Sequence, residues 1–198
     1  MKKLICLLMA VVLLLSLSGC SRNNTDIAVY EKFAAEDKIM PELEELGEYV
    51  SVKSLYHHGM MLFFEWEAYN LIVAYREEDY ESAKANAQEK YTFETEDITG
   101  EPGIWEDVSL SPSFTFEGYQ MNLLKQGESY SDRFPKLAYF AGFNDETHKI
   151  AYVYFRDPDL DAVESLEGFL MDECGWSVLI QKNIVIESET PFRSEGRC

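Results

Sequence analysis

The sequence predicts an α+β domain: a mostly antiparallel sheet of about six to eight strands with two main helices packed on one face. Three observations lead there. Runs rich in Val, Ile, Tyr, Phe and Trp recur over 49–76, 114–124, 137–143 and 150–156, with alternation suited to strands. Asn144-Asp145-Glu146-Thr147 separates the last two runs as a hairpin turn. Two further stretches, Asp79–Lys90 and one opening at Asp157, repeat apolar residues at helical spacing.

The chain begins with Met1-Lys2-Lys3, and Leu4 to Leu17 is nearly all apolar. Ser18 and Gly19 then precede Cys20. A charged end, an apolar segment and small residues before a cleavage point are the parts of an export signal. The apolar stretch is about 14 residues, short of the roughly 20 that cross a bilayer as a stable helix. Leu17-Ser18-Gly19-Cys20 resembles the lipobox of bacterial lipoproteins. That resemblance covers residues 1–20 and implies removal of 1–19, acylation of Cys20 and an extracytoplasmic, lipid-anchored protein. Several acyl chains are needed for firm anchoring, at about 0.8 kcal/mol per buried methylene.

From Cys20, residues 21–26 are polar and read as a short tether with a reach of about 20 Å. A single domain spans 27–190, with two tightly joined halves as the alternative, and 191–198 form a frayed tail. Ile27 to Phe33 starts a helix, and Pro41 to Leu46 adds a helical turn that Gly47 ends. Tyr49 to Tyr56 reads as a strand with Val50, Val52 and Ser54 on one face, followed by a turn at His57-His58-Gly59. Met60 to Tyr75 changes phase near Glu67-Ala68-Tyr69-Asn70, which predicts strands over 60–66 and 69–76 with a tight turn between them.

Tyr80, Ala83, Ala87 and Tyr91 share a face of the next helix. Alternation returns over Tyr91–Glu96, and 97–113, with Gly100, Pro102, Gly103 and Pro112, is the main loop. Trp105 within it reads as a plug over the core. Phe114 to Leu124 is strand-like and interrupted by Gly118; Gln126 to Phe134 is polar. After the hairpin, Asp157-Pro158-Asp159 opens a helix with an Asp cap, proline in its first position and acids in its first turn. Leu160, Val163, Leu166, Phe169 and Leu170 form its buried stripe, Gly175 ends it, and Val178 to Ile186 supplies a last strand. Tyr75–Ala83 echoes Phe155–Val163 at a constant offset of 80, which raises two hairpin-plus-helix units, duplicated or convergent.

Charge narrows the function classes. The chain holds 17 basic and 36 acidic residues, net −19, and loss of Lys2 and Lys3 makes the remainder two charges more negative. Nucleic acid and anionic lipid surfaces attract the opposite sign. Hydrophobic residues at 46% and aromatics at 14% are enough for a core, so the charge does not signal disorder. With Cys6 in the leader and Cys20 acylated, Cys174 and Cys198 remain, able to pair or to stay apart.

No catalytic, cofactor or metal motif stands out. Asp157, Asp159, Asp161 and Glu164 match the first ligand positions of a calcium loop, but Ala162 and Gly168 occupy the places of its turn glycine and its bidentate glutamate. Helix capping accounts for the same acids. His57 and His58, adjacent on a strand, point to opposite faces, and Glu65, Glu67 and His148 lack fixed metal spacing. Gly-x-Ser-x-Gly and the phosphate-loop pattern are absent.

The remaining lead is aromatic: Phe63, Phe64, Trp66, Tyr69, Tyr75, Tyr139, Phe140, Phe143, Tyr152, Tyr154 and Phe155 all fall on predicted strands. Core filling accounts for most of them. A sheet face left uncovered by helices would offer the rest to a protein or small-molecule partner. The sequence therefore favours a lipid-anchored binding or interaction protein of the bacterial envelope, with an envelope hydrolase using acidic residues as the alternative.

Overall fold

The computed structural model describes residues 20–61, 64–99, 109–125, 137–156 and 166–181. A seven-stranded antiparallel sheet dominates it, as an α+β chain should. In chain order its elements are β1 (Cys20–Asn24), α1 (Ile27–Asp37), a 3-10 turn (Leu43–Leu46), β2 (Ser51–Met61), β3 (Phe64–Ala74) and α2 (Glu77–Lys90). There follow β4 (Ile98–Thr99), β5 (Ser109–Leu110), β6 (Ser113–Phe116), β7 (Tyr119–Leu123), β8 (Leu137–Asn144) and β9 (Lys149–Arg156). Last come α3, α-helical over Leu166–Gly168 and π-helical over Phe169–Glu173, and α4 (Trp176–Gln181). The strand order is β1-β2-β3-β9-β8-β7-β6, and β4 pairs with β5 apart from it.

Helices cover both faces. The two longest, α1 and α2, lie on the same face, where Tyr30, Ala34, Tyr80 and Ala87 pack with Leu71, Val73, Ile150 and Tyr152. One of this pair is α1, not the helix expected from Asp157. The C-terminal helices cover the opposite face, where Phe169, Leu170 and Trp176 join Leu55, Phe140, Val153 and Phe155. Trp176–Gln181 is helix, so the strand expected over Val178–Ile186 is corrected in its first part. Buried Trp176 and Leu179 are three apart, a helical spacing that a short apolar run does not distinguish from a buried strand.

The β2–β3 hairpin corrects two other expectations. Its register runs unbroken from Ser51↔Ala74 to Met61↔Phe64, so neither His57-His58-Gly59 nor Glu67–Asn70 turns. Ala68, Asn70, Leu71 and Val73 are all buried, because β3 lies between β2 and β9 with helices above and below. A strand covered on both faces loses the alternation that would mark its phase. Gly59 belongs in a strand for a different reason: the Trp66 indole, directly across the ladder, occupies the space a Cβ would take. An aromatic ring laid over a strand glycine shields its backbone.

The stretch read as a tether is a strand. Cys20–Asn24 pairs with β2 from Cys20↔Met60 to Asn24↔Tyr56, and Asp26 is already the N-cap of α1, accepting from Ala28 N at 3.1 Å. Polar side chains suit an edge strand, whose outer side faces water. Glu117 and Gly118, at φ 49° and 78°, make a two-residue turn between β6 and β7, so the run through Leu124 is a hairpin. Tyr91–Glu96 forms no strand; Phe93 alone bridges to Leu124.

The two hairpins followed by helices are not rotated copies. β3 and β9 are antiparallel neighbours, and Leu71 and its partner Tyr152 belong to one face. A rotation exchanging such strands keeps each side chain on its face. The offset of 80 instead equates Tyr75, beneath α1 and α2, with Phe155, beneath α3.

Gly59→Ala should lower stability by about 1–3 kcal/mol through the clash with Trp66, despite alanine's lower conformational entropy. A fall in the urea midpoint at unchanged slope checks it.

Candidate functional site

The residues singled out from sequence do not converge. His57 is buried in the layer beneath the C-terminal helices, where its Nδ1–H donates to Asn23 Oδ1 at 2.6 Å and its ring abuts Gly175. His58 lies on the other face and donates from Nε2 to Glu65 Oε1 at 2.9 Å. His148 sits at the β8–β9 turn with φ 51°, its ring 5.4 Å from that of Tyr80. Glu67 faces Arg156 at 3.7 Å. Among the described residues no three His, Cys, Asp or Glu side chains cluster as metal ligands. Trp105, Phe63, Asp157, Asp159, Asp161, Glu164 and Cys198 lie outside the described residues, as do the leader 1–19 and the tail 191–198. Cys174 is fully buried.

The aromatic strands turn out to be core. Tyr75, Tyr139, Phe140, Phe143, Tyr152, Tyr154 and Phe155 are all buried beneath helices, so these rings fill the core rather than line an open face. Trp66 is partly accessible, as is a small stack in which Phe33 of α1 lies flat on Tyr69 at 3.7 Å, with Tyr56 at 4.7 Å from Tyr69. Burial pushes the tyrosine hydroxyls up, Tyr119 to about 12. Several hold the helical layer: Tyr30, Tyr75 and Tyr91 donate to the carbonyls of Pro41, Leu46 and Ile39, and Tyr139 donates to Asp37 at 2.6 Å.

The site that sequence reasoning missed is a cavity of about 280 Å³ at the end of the sheet where β2 begins and the β8–β9 hairpin turns. Its sheet side comes from neighbouring strands: Ser51 and Lys53 on β2, Ile72 and Ala74 on β3, Lys149 on β9 and Asn144 on β8. Trp176 and Leu179 of α4 lie over it, and Glu117, Tyr119 and Thr147 complete the wall. The floor is apolar and the rim polar, and the described lining includes two lysines and one carboxylate. Trp176 is fixed edge-on to Phe116 and Tyr119, at 5.4 and 5.6 Å between ring centres. Asn144 is buried, and its Oδ1 accepts from Thr147 N at 3.0 Å, which shapes the hairpin turn.

The placement of α4 over the sheet depends on β3. Asn70, fully buried, donates from Nδ2 to the Cys174 carbonyl at 2.8 Å, and Gly175, at φ 71°, then turns the chain into α4. Among the described residues two carboxylates show a displaced pKa, and both move down. Hydrogen bonds from Lys84 and Tyr80 hold Asp145 low, and the bond from Lys90 does so for Glu45. A general acid needs the opposite displacement.

The chain matches no protein-family model, no curated protein and no solved structure. Among the described residues, no helix is long and apolar enough to cross a membrane.

Asn70→Ala should cost about 1–3 kcal/mol, measured as a lower urea midpoint, because a buried amide-to-carbonyl bond is lost. His57 gives a pH signature. Burial, and then the charge of His58, hold its imidazole below the ordinary 6.5. Below that pH the unfolded chain binds a proton that the folded chain resists, so this contribution is complete above about 6.5 and declines as the pH falls. As the pH is lowered from 7.5 to 5.5, His57→Gln should lose less melting temperature than the parent chain. An identical loss in both would refute the assignment to His57.

Proposed function

We propose that this chain is a lipid-anchored, extracytoplasmic binding protein of the bacterial envelope, tethered through Cys20, with a small-molecule site in the cavity beneath α4. The leader and the lipobox-like Leu17-Ser18-Gly19-Cys20 support the location. The observation that carries binding over hydrolysis is the composition of the cavity. Among the described residues its lining holds a single carboxylate, Glu117, and neither histidine nor cysteine. Hydrolysis by acidic residues requires a pair, one as acid and one as base or nucleophile. An apolar floor with a few polar groups at the rim is the usual make-up of a ligand pocket.

β1 gives the tethered protein a definite geometry. It runs from α1 along β2 to Cys20, which pairs with Met60, itself 45% exposed. With no slack chain between the sheet and the acylated residue, that end of β2 is held at the bilayer.

Cys20→Ala should move the full chain from the membrane fraction to the soluble fraction after cell breakage and high-salt washing. Retention in the membrane by the variant would refute lipid anchoring. Metabolic labelling with a palmitate analogue, present in the parent and absent in the variant, tests the modification directly.

A further inference from the structure

The cavity is lined by two lysines that no described acid compensates. Lys53 stands opposite Ile72 and Lys149 opposite Ala74, on the two sides of β3 and on the same face of the sheet. Usual strand spacing and rise put their Cα atoms about 12 Å apart, within the joint reach of two lysine side chains closing on one group. Neither lysine makes an ion pair with a described acid, in a chain with 36 acids to 17 bases. Lys84 and Lys90, by contrast, each hold a carboxylate, at 2.6 and 2.8 Å. The one acid of the lining, Glu117, pairs with neither lysine. Between the lysines the floor is hydrocarbon from Ile72 and Ala74, with the rings of Trp176 above.

We propose that the cavity takes a small amphipathic anion, an apolar or aromatic acid whose carboxylate lies between Lys53 and Lys149 and whose body rests on Ile72, Trp176 and Leu179. This rests on the reading of the chain as a binding protein and adds the class of ligand. At about 280 Å³ the space suits a compact acid rather than a peptide or a polysaccharide. Two ammonium groups flanking one carboxylate give charge-assisted hydrogen bonds, and the acidic surroundings restrict that attraction to the cavity.

The test uses the full chain in lipid nanodiscs, with empty nanodiscs as the control. Phenylacetate, indole-3-acetate and octanoate are each titrated beside the corresponding amide and followed by ligand-detected NMR. At least one acid should bind about tenfold more tightly than its amide, the discrimination expected of a charge-assisted contact. Its Kd should rise with salt. Lys53→Gln and Lys149→Gln should each weaken the acid about fivefold and leave the amide unchanged, and the double variant should bind both alike. Melting temperatures close to the parent's confirm that the variants fold, since both lysines lie at the half-exposed rim. Equal binding of acids and amides, or a preference that survives in the double variant, overturns the anionic class and leaves the binding reading in place. Absence of binding by all six compounds overturns the cavity as a small-molecule site, and the anchoring through Cys20 stands or falls by its own test.

Discussion

The hydrogen bond from Asn70 to the Cys174 carbonyl is the contact on which the working end of the molecule depends. Asn70 is fully buried on the face beneath the C-terminal helices, among mostly apolar side chains. An amide buried there without a partner costs several times what the bond contributes when made, so the C-terminal chain is drawn to one position. Gly175 follows at φ 71°, with the His57 ring 2.7 Å from where a Cβ would stand. Only glycine fits both that backbone and that proximity. Trp176 comes next, wedged against Phe116 and Tyr119, and the cavity has its roof.

Helices on both faces determine where a ligand can go. The run from Ala138 to Asn144 is buried throughout, as is Ile150 to Phe155. Such strands cannot present a flat binding surface, however aromatic they are, because their rings fill two cores. Openings are left to the ends of the sheet, where strands finish and turns begin. The cavity lies at one such end, between the start of β2, the β6–β7 turn and the β8–β9 turn. Rigid strands supply its two lysines, which favours a preorganised site.

The parts legible in the sequence were those with their own local signals. The 144–147 turn, the helical face of Tyr80, Ala83 and Ala87, and the α+β class all follow from periodicity and turn chemistry. The misread parts are those that depend on partners distant in sequence. Gly59 resembles a turn until Trp66 is placed over it, and the middle of β3 loses its alternation because α1, α3 and their neighbours bury both of its faces. Residues 20–24 resemble a tether because an edge strand needs no apolar pattern. The cavity left no signature: Lys53, Glu117, Asn144, Lys149 and Trp176 are each unremarkable alone, and only the strand order β2-β3-β9-β8 brings them together.

The same strand order relates the proposed anchor to the proposed site. Cys20 pairs with Met60 at one end of β2, and the cavity is lined by Ser51 and Lys53 at the other. Nine residues of extended strand separate Met60 from Ser51, about 30 Å at the usual rise. An acylated Cys20 would therefore hold the cavity away from the bilayer by most of the length of the sheet. At that distance the potential of anionic headgroups is screened over several Debye lengths at physiological salt. The local field at the cavity is then set by Lys53, Lys149 and Glu117 rather than by the membrane. With Cys20 as the anchor, a negatively charged ligand would reach an acidic protein on an acidic surface only where such a patch is turned outward, and the long β2–β3 hairpin would provide that separation.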